Sequence, residues 1–294
     1  MFGKNEIVGQ KYFKEAPEDS LFVTSMFYTL QGEGPHGGQP ALFIRLAKCN
    51  LACSFCDTFF DDGDWLTFDE IAERIENLLD DHFGKETRPE WTKDGPLKLL
   101  RKKMVLVMTG GEPSLQKNLE PFLKRMEDVF EHTQIESNGI ICRANLPAST
   151  TVVVSPKCTE KNGVPTKYIK PNKDTLARAD ALKFVISADQ DSPYCTIPDW
   201  AFQWASIGSN RRRLYISPMN IYNDQPKKSK EMRSSGKNRI EITERSTVDE
   251  VISFWDEGLL DMDANQANHE YAAKFCVDNG FMLNLQMHLY ASLA

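Results

Sequence analysis

The chain has 294 residues, 41% of them hydrophobic and 10% aromatic, enough for one large domain with a full core. A formal net charge of −7 argues against a general nucleic-acid-binding role, and seven cysteines, three of them within eight residues, make an odd, clustered set that is no disulfide framework. No apolar run is long enough to span a bilayer, and Met1–Ser20 lacks the apolar core of a signal peptide, so the expectation is a reducing, cytoplasmic setting with no membrane partner.

Residues 1–20 read as a polar tail and 21–294 as a single domain, with insertions expected near 80–100 and 222–245. Phe22–Leu30 is followed by Gln31-Gly32-Glu33-Gly34-Pro35, whose glycines mark a turn that presents Gln31 and Glu33. Ala41–Leu46 is a short apolar run of strand length, interrupted by Arg45. A charge inside such a strand requires a partner or lines a cavity. Thr67-Phe68-Asp69-Glu70 is a capping box that opens a helix through Ile71, Ile75, Leu78 and Leu79. Asp80–Leu100 reads as a loop.

Met104–Met108 is a second buried strand ending in Thr109-Gly110-Gly111-Glu112-Pro113, where paired glycines let backbone approach a ligand. A helix follows through Leu119, Phe122, Leu123, Met126 and Phe130. Four more strands each end in polar residues: Gln134–Glu136 before Ser137-Asn138-Gly139, Thr151–Val154 before Ser155-Pro156-Lys157, Leu182–Ile186 before Ser187, and Leu214–Ile216 before Ser217-Pro218-Met219-Asn220. Tyr222–Arg245 is basic without apolar period and reads as a solvated loop. Thr247-Val248-Asp249-Glu250 is another capping box with a helix after it, a further helix spans Asn268–Val277 and stops at Gly280, and a last strand, Phe281–Leu285, precedes Gln286-Met287-His288. Strands alternating with helices imply a largely parallel sheet, and polar clusters just after successive strands gather at one face of a βα barrel.

The chemistry centres on Cys49-Asn50-Leu51-Ala52-Cys53-Ser54-Phe55-Cys56, a C-x-x-x-C-x-x-C run followed by Asp57-Thr58. A closed structural zinc site takes four protein ligands, and the second knuckle is missing. An iron–sulfur cluster on three cysteines leaves one iron open to a small molecule. The competing readings are three reduced thiols, or a non-enzymatic zinc or iron–sulfur module whose fourth ligand would be His132, Cys142 or Cys158.

The cysteine spacing resembles that of the radical S-adenosylmethionine (SAM) superfamily. The wider set, Phe27 to Gly34, Phe43-Ile44-Arg45, Cys49 to Thr58, Thr109 to Pro113, Glu136 to Gly139, Ser155-Pro156-Lys157 and Ser217-Pro218-Met219, resembles the 7-carboxy-7-deazaguanine synthase family. The resemblance implies an α/β fold, a partial (β/α) barrel of the radical SAM type with reduced helices. It implies conversion of 6-carboxy-5,6,7,8-tetrahydropterin to 7-carboxy-7-deazaguanine with loss of ammonia, in the pathway to queuosine precursors, using a 4Fe–4S cluster, SAM and Mg2+. By position, Cys49, Cys53 and Cys56 would hold the cluster and Thr58 the magnesium. Leu30, Gln31, Gly32, Glu33, Arg45, Thr109, His288 and the carboxylate of Ala294 would hold the pterin. SAM would be held by Phe55, Asp57, Gly111, Glu112, Ser137, the Ser155-Pro156-Lys157 turn and the Ser217-Pro218-Met219-Asn220 turn. The resemblance also implies a homodimer and a flavodoxin-type or other electron donor. A related alternative is a glycyl-radical activase acting on a protein, against which Gln31, Glu33 and Arg45 argue, since they suit a small polar substrate.

Overall fold

The structure, a computed structural model, describes residues 6–83, 104–141, 143, 145–222, 231–233, 239–241 and 260–291. Cys142, Ala294, most of the expected 80–100 insertion and the helix expected from Thr247 lie outside the described residues.

Nine strands form one sheet in the order β13-β10-β9-β6-β5-β4-β2-β1-β3. Seven are mutually parallel: β2 (Pro40–Leu46), β4 (Val105–Gly110), β5 (His132–Ser137), β6 (Thr150–Val154), β9 (Ala181–Ile186), β10 (Leu214–Pro218) and β13 (Met282–Leu283). β1 (Ser20–Leu30) and β3 (Asp64–Thr67) extend the sheet antiparallel at the β2 side. The two outermost strands, β13 and β3, are not paired to each other, so the sheet is open.

Alternation along each strand sorts side chains between two surfaces. Leu42, Ile44, Leu106, Met108, Leu182, Phe184 and Ile186 join the main core, with Ile71, Ile75 and Leu79 of α1 (Phe68–Phe83) and Phe122, Leu123 and Met126 of α2 (Leu119–Met126). The intervening residues Phe43, Arg45, Thr109, Glu136, Lys183 and Val185 face a cavity. Laid flat, seven strands would spread their ends over about 29 Å. They converge on one cavity, so the sheet curls around it as part of a barrel.

The capping box forms as expected: Thr67 N donates to Glu70 at 2.7 Å and Glu70 N to Thr67 Oγ1 at 3.2 Å. Several boundaries differ. α2 ends at Met126, short of Phe130, and the last strand shrinks to two residues. α5 (Met262–Asn279) begins earlier than its apolar residues suggest, because Asp261 caps it through Ala264 N at 3.0 Å; Gly280, at φ 69°, ends it. The expected 222–245 loop contains an antiparallel ribbon, β11 (Glu231–Arg233) with β12 (Arg239–Glu241). A hairpin that sequence reading missed, β7 (Cys158–Lys161) with β8 (Val164–Tyr168), turns at Asn162 and Gly163, both at positive φ. Also unanticipated were β3 and the short helices α3 (Lys173–Arg178), α4 (Asp199–Ala205) and α6 (Met287–Ala291).

The expected tail is held where it is described. Phe13 is buried, Asn118 Nδ2 donates to Pro17 O at 2.7 Å, and Val8 N donates to Cys49 O at 2.8 Å.

Candidate active site

The cavity occupies about 220 Å3 at the carboxyl ends of the parallel strands. The cysteine loop forms one wall. Its entry is fixed by Lys48, which adopts a left-handed backbone at φ 71°. Lys48 N donates to Phe60 O at 2.6 Å, Lys48 O accepts from Glu112 N at 2.9 Å, and its ammonium pairs with Asp61 at 2.5 Å and Glu6 at 3.2 Å. The Thr109–Pro113 turn is thereby bonded to the residue preceding Cys49. A Cβ on Gly111 would lie 2.0 Å from Lys48 O, and one on Gly110 2.3 Å from Leu46 N. These glycines are needed because two backbones touch there.

Cys49, Cys53 and Cys56 all line the cavity, and Cys56 N closes back on Cys53 O at 3.1 Å. Burial pushes all three thiols up, to about 11 for Cys53 and about 12 for Cys56. Thiols in such surroundings ionise against a metal, which coordinates the thiolate form. Among the described residues no group of three or more His, Cys, Asp or Glu is arranged around one metal ion. A 4Fe–4S cluster distributes its cysteines over separate irons, and three thiols spread along one cavity wall fit that donor set. His132 is outside the cavity, stacked on His36 with centroids 4.4 Å apart, and Cys158 packs with Tyr194 and Met219.

A polar relay crosses the next wall. Arg45 Nη1 donates to Thr58 Oγ1 at 2.9 Å, Thr58 donates to Asp57 at 3.0 Å, Gln286 Nε2 to Asp57 at 3.2 Å, and Asn220 Nδ2 to Gln286 at 2.6 Å. Arg45 is the charge that interrupted β2 in the sequence, and it lies over the Phe27 ring at 5.3 Å. Asn220 lines the cavity, and its Oδ1 is buried without a hydrogen-bond partner among the described residues. His288, on α6, is pushed down to about 4, chiefly by burial and then by Arg45, so it is neutral at pH 7.

The floor is ionic. The Gln31–Gln39 segment folds back on itself, with Gln31 N to Gln39 O at 2.8 Å and Gly38 N to Gln31 O at 2.7 Å. It carries Glu33 beneath the sheet to Lys183, whose ammonium pairs with both Glu33 and, at 2.9 Å, Glu136. Gln31 Nε2 and Gln134 Nε2 also donate to Glu136, at 3.1 and 3.2 Å. Burial opposes the charge on Glu136, but Lys183, Gln31 and Lys157 outweigh it and hold its carboxyl low. Burial dominates at Glu33 and raises it, despite Lys183. Asn284 donates to Glu33 at 3.2 Å and to Ser217 Oγ at 2.7 Å.

Glu112 is buried and accepts from Asn138 N at 2.7 Å, Ser137 Oγ at 2.8 Å and Ser114 N at 2.9 Å. Burial raises its pKa against those bonds. Lys157 donates to Ser155 O at 2.8 Å, and burial lowers its pKa. Phe55 meets Tyr194 edge-on at 5.1 Å.

Of the residues expected to hold substrate, Gln31, Gly32, Glu33, Arg45, Thr109 and His288 line the cavity; Leu30 does not, and Ala294 lies outside the described residues. Of the expected SAM set, Phe55, Asp57, Gly111, Glu112 and Ser137 line it, as do Ser155, Lys157, Ser217, Pro218 and Asn220. Pro156 and Met219 are buried behind it. Thr58 is on the wall beside Asp57. The sequence pattern gives no binding role to Glu136, Lys183 or Asn284, which build the floor; Gln286, from the polar cluster after the last strand, closes the relay. Alternation held the signal for the first two: Lys183 stands out of phase with Leu182, Phe184 and Ile186, as Arg45 does in β2.

No family model matches the chain. Curated relatives named 7-carboxy-7-deazaguanine synthase do. That of Rickettsia prowazekii is 34% identical over 187 residues, 64% of this chain and 69% of the relative. That of Rhodospirillum rubrum is 33% identical over 223 residues, covering 75% and 79%, and that of Bacteroides thetaiotaomicron is 32% identical, covering 66% and 86%. The fold is similar to the crystal structure of QueE from Escherichia coli, with a TM-score of 0.56 at 19% identity over 96% of this chain and 99% of that one.

Proposed function

The chain belongs to the 7-carboxy-7-deazaguanine synthase family, and from that premise we propose how its cavity is shared between two ligands. It is a radical SAM carbon–nitrogen lyase that converts 6-carboxy-5,6,7,8-tetrahydropterin to 7-carboxy-7-deazaguanine with loss of ammonia. Cys49, Cys53 and Cys56 would hold a 4Fe–4S cluster, which when bound supplies the electron for reductive cleavage of the SAM sulfonium.

The protein's contribution is binding, orientation and exclusion of water. SAM is held along the wall of Phe55, Gly111, Glu112, Ser137, Ser155 and Lys157, with the Ser217–Asn220 turn beyond. Glu112 suits the ammonium of an amino acid, and Lys157 its carboxylate. The pterin is held on the floor: its donor-rich edge faces Glu33 and Glu136, and Gln31 and Thr109 supply further polar partners. Arg45 takes the substrate carboxylate, a charge-assisted bond of fixed geometry. Thr58 Oγ1, with Asp57 beside it, offers hard oxygen to Mg2+. Neutral His288 is an acceptor or donor to the same ligand without adding charge.

One observation carries the reading: three cluster-type thiols, the Gly-Gly-Glu turn and a buried ionic floor line a single cavity. Reduced protein with SAM, Mg2+ and 6-carboxytetrahydropterin, kept anaerobic, should yield 7-carboxy-7-deazaguanine and ammonia, with product exceeding the 5′-deoxyadenosine released. Cleavage of SAM with no deazapurine formed would overturn the substrate assignment. We place the enzyme in the cytoplasm as a homodimer, following its family resemblance; among the described residues no helix is long and apolar enough to cross a membrane.

A further inference from the structure

The cysteine loop reaches the surface at Ala52 and Ser54, both exposed. The β7–β8 hairpin lies directly beside this point: Glu160 accepts from Ser54 N at 2.7 Å. Strand alternation gives the hairpin two faces. Cys158, Glu160 and Tyr168 turn inward, Cys158 N donating to Tyr194 Oη at 2.9 Å, while Lys161, Val164 and Lys167 are exposed. Residues 157–170 hold four lysines against one glutamate, in a chain whose net charge is −7. That glutamate is engaged inward with Ser54, and Lys157 faces the cavity, so Lys161, Lys167 and exposed Lys170 make the hairpin's own outer face cationic, while exposed Asp189 lies in the hollow that Ser54 and Pro165 share. The site already described does not use these charges.

We propose that the β7–β8 hairpin, with the Ala52–Ser54 rim beside it, is the docking surface for an acidic one-electron carrier protein. The inference rests on Cys49, Cys53 and Cys56 holding an iron–sulfur cluster. In the step served, the carrier loses one electron and the cluster gains one; no bond is made or broken in the protein. Charge complementarity selects the partner and steers its approach, and the exposed rim is where the cluster-bearing loop comes closest to it.

The test uses anaerobic holoenzyme and reduced flavodoxin as probe, following bleaching of the cluster's visible absorption with no substrate present. Lys161→Glu/Lys167→Glu should be bleached about tenfold more slowly than wild type at low ionic strength. Wild-type bleaching should slow as salt rises, while the variant's rate should respond little, and oxidised flavodoxin should bind the variant more weakly. Dithionite, too small to need docking, should bleach both at one rate. Lys161→Ala/Lys167→Ala should fall between, and Lys124→Glu on α2 should match wild type. An unchanged flavodoxin rate in the Glu variant, an equal loss with dithionite, or an equal loss in Lys124→Glu overturns the docking surface. A wild-type protein that neither reductant bleaches overturns the cluster assignment, and the docking surface with it.

Discussion

Replacing Lys183 by Met removes the cation from between two buried carboxylates while keeping most of the side-chain volume. Lys183 is buried, and its ammonium bonds to both Glu33 and Glu136. Stripping one partner from a buried ion pair costs about 3–5 kcal/mol, about a fifth or more of the stability of an ordinary domain. The pH dependence has a definite sign. In wild type, burial opposes the charge on Lys183 but the two carboxylates overcome it and raise its pKa, so its contribution is intact below the ordinary lysine range and does not vary between pH 6 and 8. Without the cation, burial and mutual repulsion push the carboxyl pair above its unfolded value. A raised carboxyl contributes stability below its unfolded pKa and loses it as pH climbs through the folded one. The deficit of Lys183→Met should therefore be smaller at pH 6 than at pH 8. Anaerobic urea unfolding of the holoenzyme, followed by circular dichroism at both values, measures it. Adding Glu136→Gln should recover a large part by removing the repulsion. A loss under about 1 kcal/mol at pH 8, or a deficit that grows on acidification, would refute the account of the floor.

Other outcomes follow from the walls. Gly111→Ala places a methyl 2.0 Å from Lys48 O, displacing the peptide that leads into Cys49; iron and sulfide per chain should drop steeply, whereas Gly9→Ala, with nothing within 4 Å, should leave both unchanged. Arg45→Ala should weaken pterin binding about ten- to a hundredfold, from the loss of about 1.5–3 kcal/mol, with little change in SAM affinity by calorimetry. Thr58→Ala should retain cluster content and SAM binding but require more Mg2+ for turnover; an unaltered magnesium titration would reduce Thr58 to a link between Arg45 and Asp57.

Much of this site was legible because its residues violate local expectation. Arg45 in an apolar strand and paired glycines after β4 each signalled a demand that the fold meets at the cavity. Lys183 and Glu136 violate it in the same way, but their signal shows only when a short strand is taken as two alternating faces and not as one apolar run. The β7–β8 hairpin was announced by Asn162-Gly163, a strong turn signal, yet its strands, Cys-Thr-Glu-Lys and Val-Pro-Thr-Lys-Tyr, lack the apolar alternation that marks a core strand. Asn284 carries no local signal, and Gln286 only its place at the head of the polar cluster after the last strand. Their roles arise from contacts with residues some 230–250 positions away, such as Gln286 with Asp57 (229 apart) and Asn284 with Glu33 (251 apart), which periodicity does not encode.

The Gln31–Gln39 segment has a consequence for traffic. Its His36 meets Thr151, at the amino end of β6, at 3.0 Å, and its Gly34 N donates to Asn284, just past β13, at 2.7 Å, with Glu33 ion-paired to Lys183 between them. The segment thus closes the cavity floor beneath Glu33, on the side of β5 and β6. On the proposed sharing of the cavity, the ligand seated on that floor is the one that the other covers. On the same reading, a deazapurine formed against Glu33 and Glu136 would leave past whatever occupies the wall of the cysteine loop.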